Sequence, residues 1–178
     1  MLLLAALLLG GLSALAQSKY YVGGDVSFGT GSSGTRVVVY PEIGRRIAEN
    51  LYAGVAAGFD WNNISSESDF TIGVTPHLRG YLPVYERYGV MGDAFLSGRF
   101  TRRKGYDPLI KSMEIGLRPG LFFPVGNVTL TTRIGFLGFT RTDYGYGDVV
   151  SGWHARLQAR DILIGALFSL LASGKGFL

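Results

Sequence analysis

A strict alternation of apolar and other side chains runs from Phe70 to Leu82, and it constrains the fold more than any other stretch. The apolar parity consists of Phe70, Ile72, Val74, Pro76, Leu78, Gly80 and Leu82, and the other parity of Thr71, Gly73, Thr75, His77, Arg79 and Tyr81. A period of two predicts a β-strand. Strands of soluble domains are seldom this long, whereas a transmembrane barrel strand needs about 9–11 residues with an apolar lipid face and a polar lumen face. The stretch therefore predicts a strand of a transmembrane β-barrel.

The same hairpin unit occurs three times, each time with a proline on the outward parity of its descending strand. The three positions are Pro41, Pro76 and Pro119. Because proline cannot donate to a strand ladder, it is expected at edges, strand ends or bulges. We therefore expect a shared bulge or strand end near one rim of the barrel at these positions.

The composition agrees with a membrane barrel and excludes several other classes. Charged residues make up only 17% of the 178 residues, below the usual ~25%, and 27 residues are glycine. The chain has no cysteine, so it has no disulfide, thiolate metal site, cysteine nucleophile or acylated N-terminal cysteine. The net charge is +4 and the basic residues form only one cluster, Arg102-Arg103-Lys104, which is too few cations for a nucleic-acid-binding surface.

Residues 1–16 are typical of a signal peptide. Their apolar run is too short for a spanning helix of about 20 residues, and Ala14-Leu15-Ala16 fits the small-x-small cleavage rule. No second apolar run reaches about 18 residues. We predict export, cleavage after Ala16, and one outer-membrane barrel domain over residues 17–178.

The alternation divides the rest of the chain into eight predicted strands, which gives an all-β, antiparallel, up-and-down transmembrane barrel. The predicted strands are 19–28, 35–47, 51–61, 69–82, 88–100, 109–123, 128–140 and 153–171. An even number allows closure, which lipid demands because it cannot satisfy an open edge. The longer predicted connections are 29–34, 62–68, 101–108 and 141–152, on the expected extracellular side. The eighth strand needs a one-residue bulge near Arg160-Asp161 to keep its parity.

Two hairpins resemble a known family. The segments Pro41-Glu42-Ile43-Gly44 with Leu51-Tyr52-Ala53-Gly54, and Pro76-His77-Leu78-Arg79 with Gly80-Tyr81-Leu82-Pro83, resemble the small outer-membrane β-barrel proteins abundant in Bacteroidota. The resemblance implies an eight-stranded barrel with the architecture of OmpA and OmpX membrane domains. Gly165, Phe168 and Leu170 are similar to the C-terminal signal that the barrel assembly machinery reads.

Eleven ionisable residues fall on the predicted lumen parity: Asp25, Arg36, Glu42, Asp60, His77, Arg79, Asp93, Arg99, Glu114, Arg118 and Arg133. The interior of an eight-stranded barrel is just filled by side chains, and buried charges must be paired. Five arginines face five acids, with His77 as the extra group. This balance favours a lumen plugged by ion pairs over a narrow pore for small solutes, which would show an excess of one sign.

The enzyme alternative, a lipid A-modifying barrel, finds little support in the residues. His77 has no adjacent serine, and Ser151 and His154 would meet only by chance of loop geometry. Two loop acids, Asp143 and Asp148, are too few for a calcium site. We expect no catalytic, cofactor or metal residues.

The remaining expectations concern surfaces and partners. The residues Tyr20, Tyr21, Trp61, Tyr81, Tyr85, Tyr88, Phe100 and Trp153 are predicted to form aromatic girdles at the two membrane interfaces. Recognition is predicted in the connections 62–68, 101–108 and 141–152, with Arg102, Arg103 and Lys104 as a patch for anionic lipopolysaccharide. We expect a monomer in contact with outer-membrane lipid, with a structural or surface-interaction role.

Overall fold

The computed structural model describes residues 20–31, 34–64, 67–85, 88–125, 128–156 and 163–169. These residues form ten strand segments: β1 Tyr20–Gly31, β2 Gly34–Ala48, β3 Leu51–Ile64, β4 Glu67–Tyr85, β5 Tyr88–Arg103, β6 Ile110–Val125, β7 Val128–Arg133, β8 Phe136–Asp143, β9 Val149–Arg156 and β10 Leu163–Ser169. Within the same ranges, no helix is long and apolar enough to cross a membrane. The predicted signal peptide lies outside the described residues.

The segments close into an eight-stranded antiparallel barrel. Each of β1 to β5 pairs with the segment that follows it, and β10 pairs with both β7 and β1, which closes the ring. The segments β7 and β8 both pair with β6 and form one barrel strand, while β9 and β10 follow each other along the last strand. This confirms the predicted fold class.

The alternation of side chains determines which residues face the outside of the barrel and which face the lumen. Along β5 from Tyr88 to Leu96, buried and exposed residues alternate without interruption. The exposed parity of β4 to β6 carries large apolar groups such as Ile72, Leu96 and Ile115, each between 42% and 50% exposed. The buried parity carries Arg79, Asp93 and other polar residues. The barrel is thus apolar outside and polar inside, the reverse of a soluble barrel and the arrangement that lipid requires.

The strands extend further than the sequence predicted. The connection predicted at 62–68 is mostly strand, because β3 continues to Ile64 and β4 begins at Glu67. The connection predicted at 29–34 is reduced to residues 32–33. The connection predicted at 101–108 lies at 104–109, and the one predicted at 141–152 is reduced to 144–148. We call this side of the barrel the loop end. The opposite side, with two-residue connections at 49–50, 86–87 and 126–127, is the turn end.

A bulge, absent from the prediction, divides the seventh barrel strand. Arg133 pairs with Gly120 but Leu137 pairs with Leu117, so one extra residue lies between β7 and β8. The buried parity accordingly changes from Thr131 and Arg133 to Phe136. The continuous strand predicted for 128–140 is therefore wrong. The bulge predicted near residues 160–161 falls outside the described residues.

The three prolines do project outward, but the predicted shared bulge is wrong for two of them. Pro119 lies directly opposite the β7–β8 bulge, where its carbonyl accepts a hydrogen bond from the Ile134 N–H at 3.0 Å. Pro41 and Pro76 lie inside β2 and β4, and the register does not shift beside either of them. The ladders instead miss pairs there, between β2 and β3 at Pro41 and between β4 and β5 at Pro76, which is how an internal proline is accommodated without a bulge.

Candidate functional site

The centre of the lumen is occupied by the guanidinium of Arg79, whose side chain is 0% exposed. It donates to Glu42 on β2, two strands away, at 2.7 and 3.1 Å, and to Asp93 on the neighbouring strand at 2.7 and 3.3 Å. Asp93 is the residue directly opposite Arg79 in the β4–β5 pairing, so the alternation of both strands brings them together. Two bidentate contacts orient the planar guanidinium between two carboxylates.

A second arginine, Arg133, completes this group. Its Nε donates to Asp93 at 2.7 Å, its Nη2 contacts Glu42 at 3.5 Å, and its Nη1 donates to Asp25. We call Asp25, Glu42, Arg79, Asp93 and Arg133 the ionic cluster. It holds three carboxylates and two guanidiniums from five different segments, and all five side chains are at most 10% exposed.

His77 borders the ionic cluster without joining an arginine. Its Nε2 lies 3.1 Å from the Tyr21 hydroxyl and 4.0 Å from a Glu42 carboxylate oxygen, and its Nδ1 lies 3.3 Å from the Thr75 carbonyl. The Thr75 and Ser97 hydroxyls contact each other at 2.9 Å. The side chains of His77, Thr75 and Ser97 each have a polar partner inside the barrel, which is the pattern of groups that stabilise the fold.

Aromatic rings form a layer between the ionic cluster and the turn end. Tyr52 packs edge-on against Tyr21 at 5.8 Å and against Tyr81 at 5.3 Å, and Tyr81 packs against Phe122 at 4.9 Å. Leu167 belongs to the same buried group. We call Tyr21, Tyr52, Tyr81, Phe122 and Leu167 the aromatic layer. Tyr21 and Tyr81 were predicted in an interfacial girdle, and that prediction is wrong because both point into the lumen.

Toward the loop end the lumen widens into a cavity of about 850 Å³. Its wall carries Glu114 between two arginines, with Arg99 Nη2 at 3.0 Å and Arg118 Nη2 at 3.7 Å. The Arg118 guanidinium also lies 3.5 Å from the centre of the Phe95 ring, a cation–π contact. These arginines are more exposed than those of the ionic cluster, at 33% and 17%.

Two further ion pairs line the mouth of the cavity. Arg36 contacts Asp60 at 2.6 Å, and Arg103 contacts Asp69 at 2.9 Å. The arginine side chains are 51% and 38% exposed. Exposed pairs of this kind add little stability because water competes for both charges.

All eleven predicted lumen residues lie on the inner side of the barrel. Ten line the cavity, and Arg79 lies within the ionic cluster. They do not form one network, since Arg36 with Asp60, and Arg99 with Glu114 and Arg118, pair separately from the cluster.

The three residues of the predicted loop patch, Arg102, Arg103 and Lys104, do not lie together in one connection. Arg102 and Arg103 lie in β5 and Lys104 follows it. The sequence does not predict the pair of Arg103 with Asp69, because it assigns Arg103 to the connection 101–108 and not to a strand.

Among the described residues, the candidate groups for catalysis and for metal binding are not brought together. Ser151 pairs opposite Arg141 on the outward parity of β9, whereas His154 has the lumen parity. Asp143 accepts a hydrogen bond from the Gly145 N–H at 2.8 Å and so closes a turn. No group of three or more His, Cys, Asp or Glu residues suited to a metal ion occurs in the described ranges.

The two longer connections of the loop end support each other. The Tyr106 hydroxyl donates to the Tyr144 carbonyl at 2.8 Å. A Cβ on Gly145 would lie 3.0 Å from Pro108 Cγ, so the two connections are in close contact. Between Gly145 and Gly147, Tyr146 has φ 55° and is 85% exposed. The two connections together therefore present an exposed aromatic ring at the loop end.

Comparisons with known proteins support the fold. No protein-family model matches the chain, and no curated protein does. Among solved structures, the crystal structure of Neisserial surface protein A (NspA) matches with a TM-score of 0.57 and 19% sequence identity, over 85% of this chain and 97% of that chain. At this identity the likeness shows the fold alone. The chain is therefore a small eight-stranded barrel with OmpA/OmpX-like architecture, and the more specific resemblance to the Bacteroidota proteins stays a prediction.

Proposed function

We propose that the protein is a non-enzymatic, integral outer-membrane barrel whose lumen is closed and whose recognition surface is the loop end. The observation that carries this proposal is the ionic cluster stacked on the aromatic layer. Together they occupy the lumen from the middle of the barrel toward the turn end, while the cavity formed by the described residues lies toward the loop end.

The closed lumen argues against a pore. Conduction requires a continuous path with binding weak enough for an ion to leave. In the ionic cluster each guanidinium is held by two or three carboxylates, with Arg79 0% and Glu42 1% exposed. Below it, Tyr52, Tyr81 and Phe122 pack ring against ring. An ion would have to displace guanidiniums and carboxylates that already contact one another.

The location in the outer membrane is supported by the outward face. A closed ring of strands with apolar groups outside satisfies every backbone group without water, which is what a lipid environment demands. Residues 1–16 would direct export, and the strand of β10 would be read by the barrel assembly machinery. Mass spectrometry of the mature protein should find Gln17 at its N-terminus, and a retained Met1 in a cytoplasmic fraction would contradict this location.

Recognition would use the joined connections 104–109 and 144–148, with Tyr146 as an exposed aromatic contact. Aromatic side chains with few rotatable bonds are the usual anchors of protein contacts. In this proposal the barrel acts as a rigid monomeric support. The family resemblance to Bacteroidota barrels is compatible with such a surface role.

Planar-bilayer recording of the purified protein tests the closed lumen. We expect no steady conductance from wild type. We expect the Arg79→Ala/Tyr81→Ala double variant, which weakens both the ionic cluster and the aromatic layer, to conduct. Arg36→Ala, at the already open mouth, is the matched control and should stay silent. Steady, ion-selective currents from wild type would refute the proposal and support a small-solute pore.

A further inference from the structure

Three cations project from the outside of the barrel at its loop end. They are Arg102 in β5, Lys111 in β6 and Arg141 in β8, and all three are exposed. Each lies within two residues of the end of its strand at the loop end. We call them the cationic row.

The strand register brings the three residues next to one another. Lys111 pairs with Phe100, so Arg102, two residues further along β5, is its diagonal neighbour on the same face. Arg141 pairs with Met113, so it is the diagonal neighbour of Lys111 on the other side. Diagonal neighbours on one face of a sheet are about 7–8 Å apart. One extended head group can therefore touch all three.

No acid among the described residues lies within ion-pair distance of the row. None of the three cations takes part in an ion pair within 4.0 Å there, whereas most arginines of the lumen do. Asp143 lies opposite Lys111 in register, but its carboxylate accepts the Gly145 N–H. Three like charges in a row, without a protein partner, repel one another and call for an external anion.

The surface directly below the row is apolar. Phe100, Met113 and Trp153 are between 46% and 78% exposed, and Trp153 packs edge-on against Phe139 at 5.8 Å. Side chains of this kind contact acyl chains, and cations above them lie at the depth of lipid head groups. The occupant that fits is an amphiphile with acyl chains and more than one phosphate.

We propose that the cationic row binds the phosphorylated saccharide head group of a lipid A-type glycolipid in the outer leaflet. A phospholipid with a single phosphate can neutralise only one of the three cations, whereas a head group with two phosphates spans the row. The proposal rests on the outer-membrane location proposed above.

Binding of bisphosphorylated lipid A to the protein in detergent, measured by native mass spectrometry, tests the proposal. We expect the Arg102→Gln/Lys111→Gln/Arg141→Gln variant to bind about a hundredfold more weakly than wild type at low salt. The difference should shrink at high salt because exposed charges are screened. Phosphatidylglycerol and dephosphorylated lipid A should bind wild type more weakly than bisphosphorylated lipid A.

The control variant is Arg45→Gln, an exposed cation of β2 near the turn end, compared with Lys111→Gln in the middle of the row. Only Lys111→Gln should weaken lipid A binding. Equal binding by wild type and the triple variant, or equal binding of phosphatidylglycerol and lipid A, would overturn the site. Insertion into phosphatidylcholine vesicles, measured by protease protection, separates the two proposals: a protein that inserts but does not bind lipid A refutes the cationic row alone, and one that fails to insert refutes both.

Discussion

Replacing Arg79 with alanine is the most informative perturbation of this barrel. It removes four hydrogen bonds at once, two to Glu42 and two to Asp93. Glu42 and Asp93 stay behind with side chains 1% and 2% exposed, so water cannot easily replace the lost donors. Arg133 alone is left to hold both acids together with Asp25, which makes one cation against three carboxylates.

The expected cost follows from that imbalance. Removing one partner of a buried ion pair typically costs about 3–5 kcal/mol, because an uncompensated charge remains in a poorly solvated place. The same change at Arg36, which is 51% exposed, should cost about 1 kcal/mol or less, since exposed pairs are worth little. The contrast between the two variants does not depend on the absolute stability of the barrel.

Urea-induced unfolding of both variants in lipid vesicles, followed by tryptophan fluorescence, measures the difference. Arg79→Ala should lower the free energy of unfolding by about 3–5 kcal/mol, and the Arg79→Ala/Asp93→Ala double variant should lose less than the sum of its single changes because the residues are coupled. If Arg79→Ala unfolds at the same urea concentration as Arg36→Ala, the lumen charges are solvated and the closed-lumen reasoning is wrong.

Three further changes test other parts of the lumen. Gly54→Val should destabilise the barrel by about 1–3 kcal/mol in the same urea assay, because a Cβ there would lie 2.8 Å from His77 Nε2; Gly29→Val, with open space around it, is the control. Tyr81→Ala should cost about 3–5 kcal/mol by removing a ring between Tyr52 and Phe122, and a loss below about 1 kcal/mol would show that the rings do not pack. Glu114→Ala should be milder than Arg79→Ala and should recover partly at high salt, where anions from the cavity screen the two arginines; equal loss at all salt concentrations would contradict an open cavity.

The sequence predicts the architecture because a strand has only two faces. From Phe70 to Leu82 successive side chains point to opposite faces of the strand. Once the apolar face is assigned to lipid, Arg79 must therefore point into the lumen, whatever its partners there are. The same reasoning places Asp93 and Glu114 inside. Strand ends are predicted less well, since the polar residues Asn62 and Asn63 read as loop but continue the pairing between β3 and β4 above the apolar band.

Partners across the lumen could not be predicted from the alternation. Arg133 contacts Asp93 and Asp25, which are 40 and 108 residues away along the chain. Which residues share a height depends on strand tilt and stagger, and on the extra residue between β7 and β8. Up to Arg133 the odd-numbered residues of this strand face the lumen, whereas from Phe136 onward the even-numbered ones do. A single added residue reverses every later side chain, so local irregularities, not composition, limit the prediction of the site.

The sequence predicts five arginines against five acids in the lumen, and the structure adds the pair of Arg103 with Asp69, but equal numbers hide how the charges are arranged. The ionic cluster has an excess of carboxylate, with three acids around Arg79 and Arg133, whereas Arg99 and Arg118 outnumber Glu114 on the cavity wall. The enclosed region can be closed because each of its guanidiniums reaches at least two acids at once. The open region tolerates an excess of cations because the cavity connects it to solvent. In the proposal of a closed lumen, closure depends on where the charges pair, and a count of the charges does not distinguish a plugged lumen from a pore.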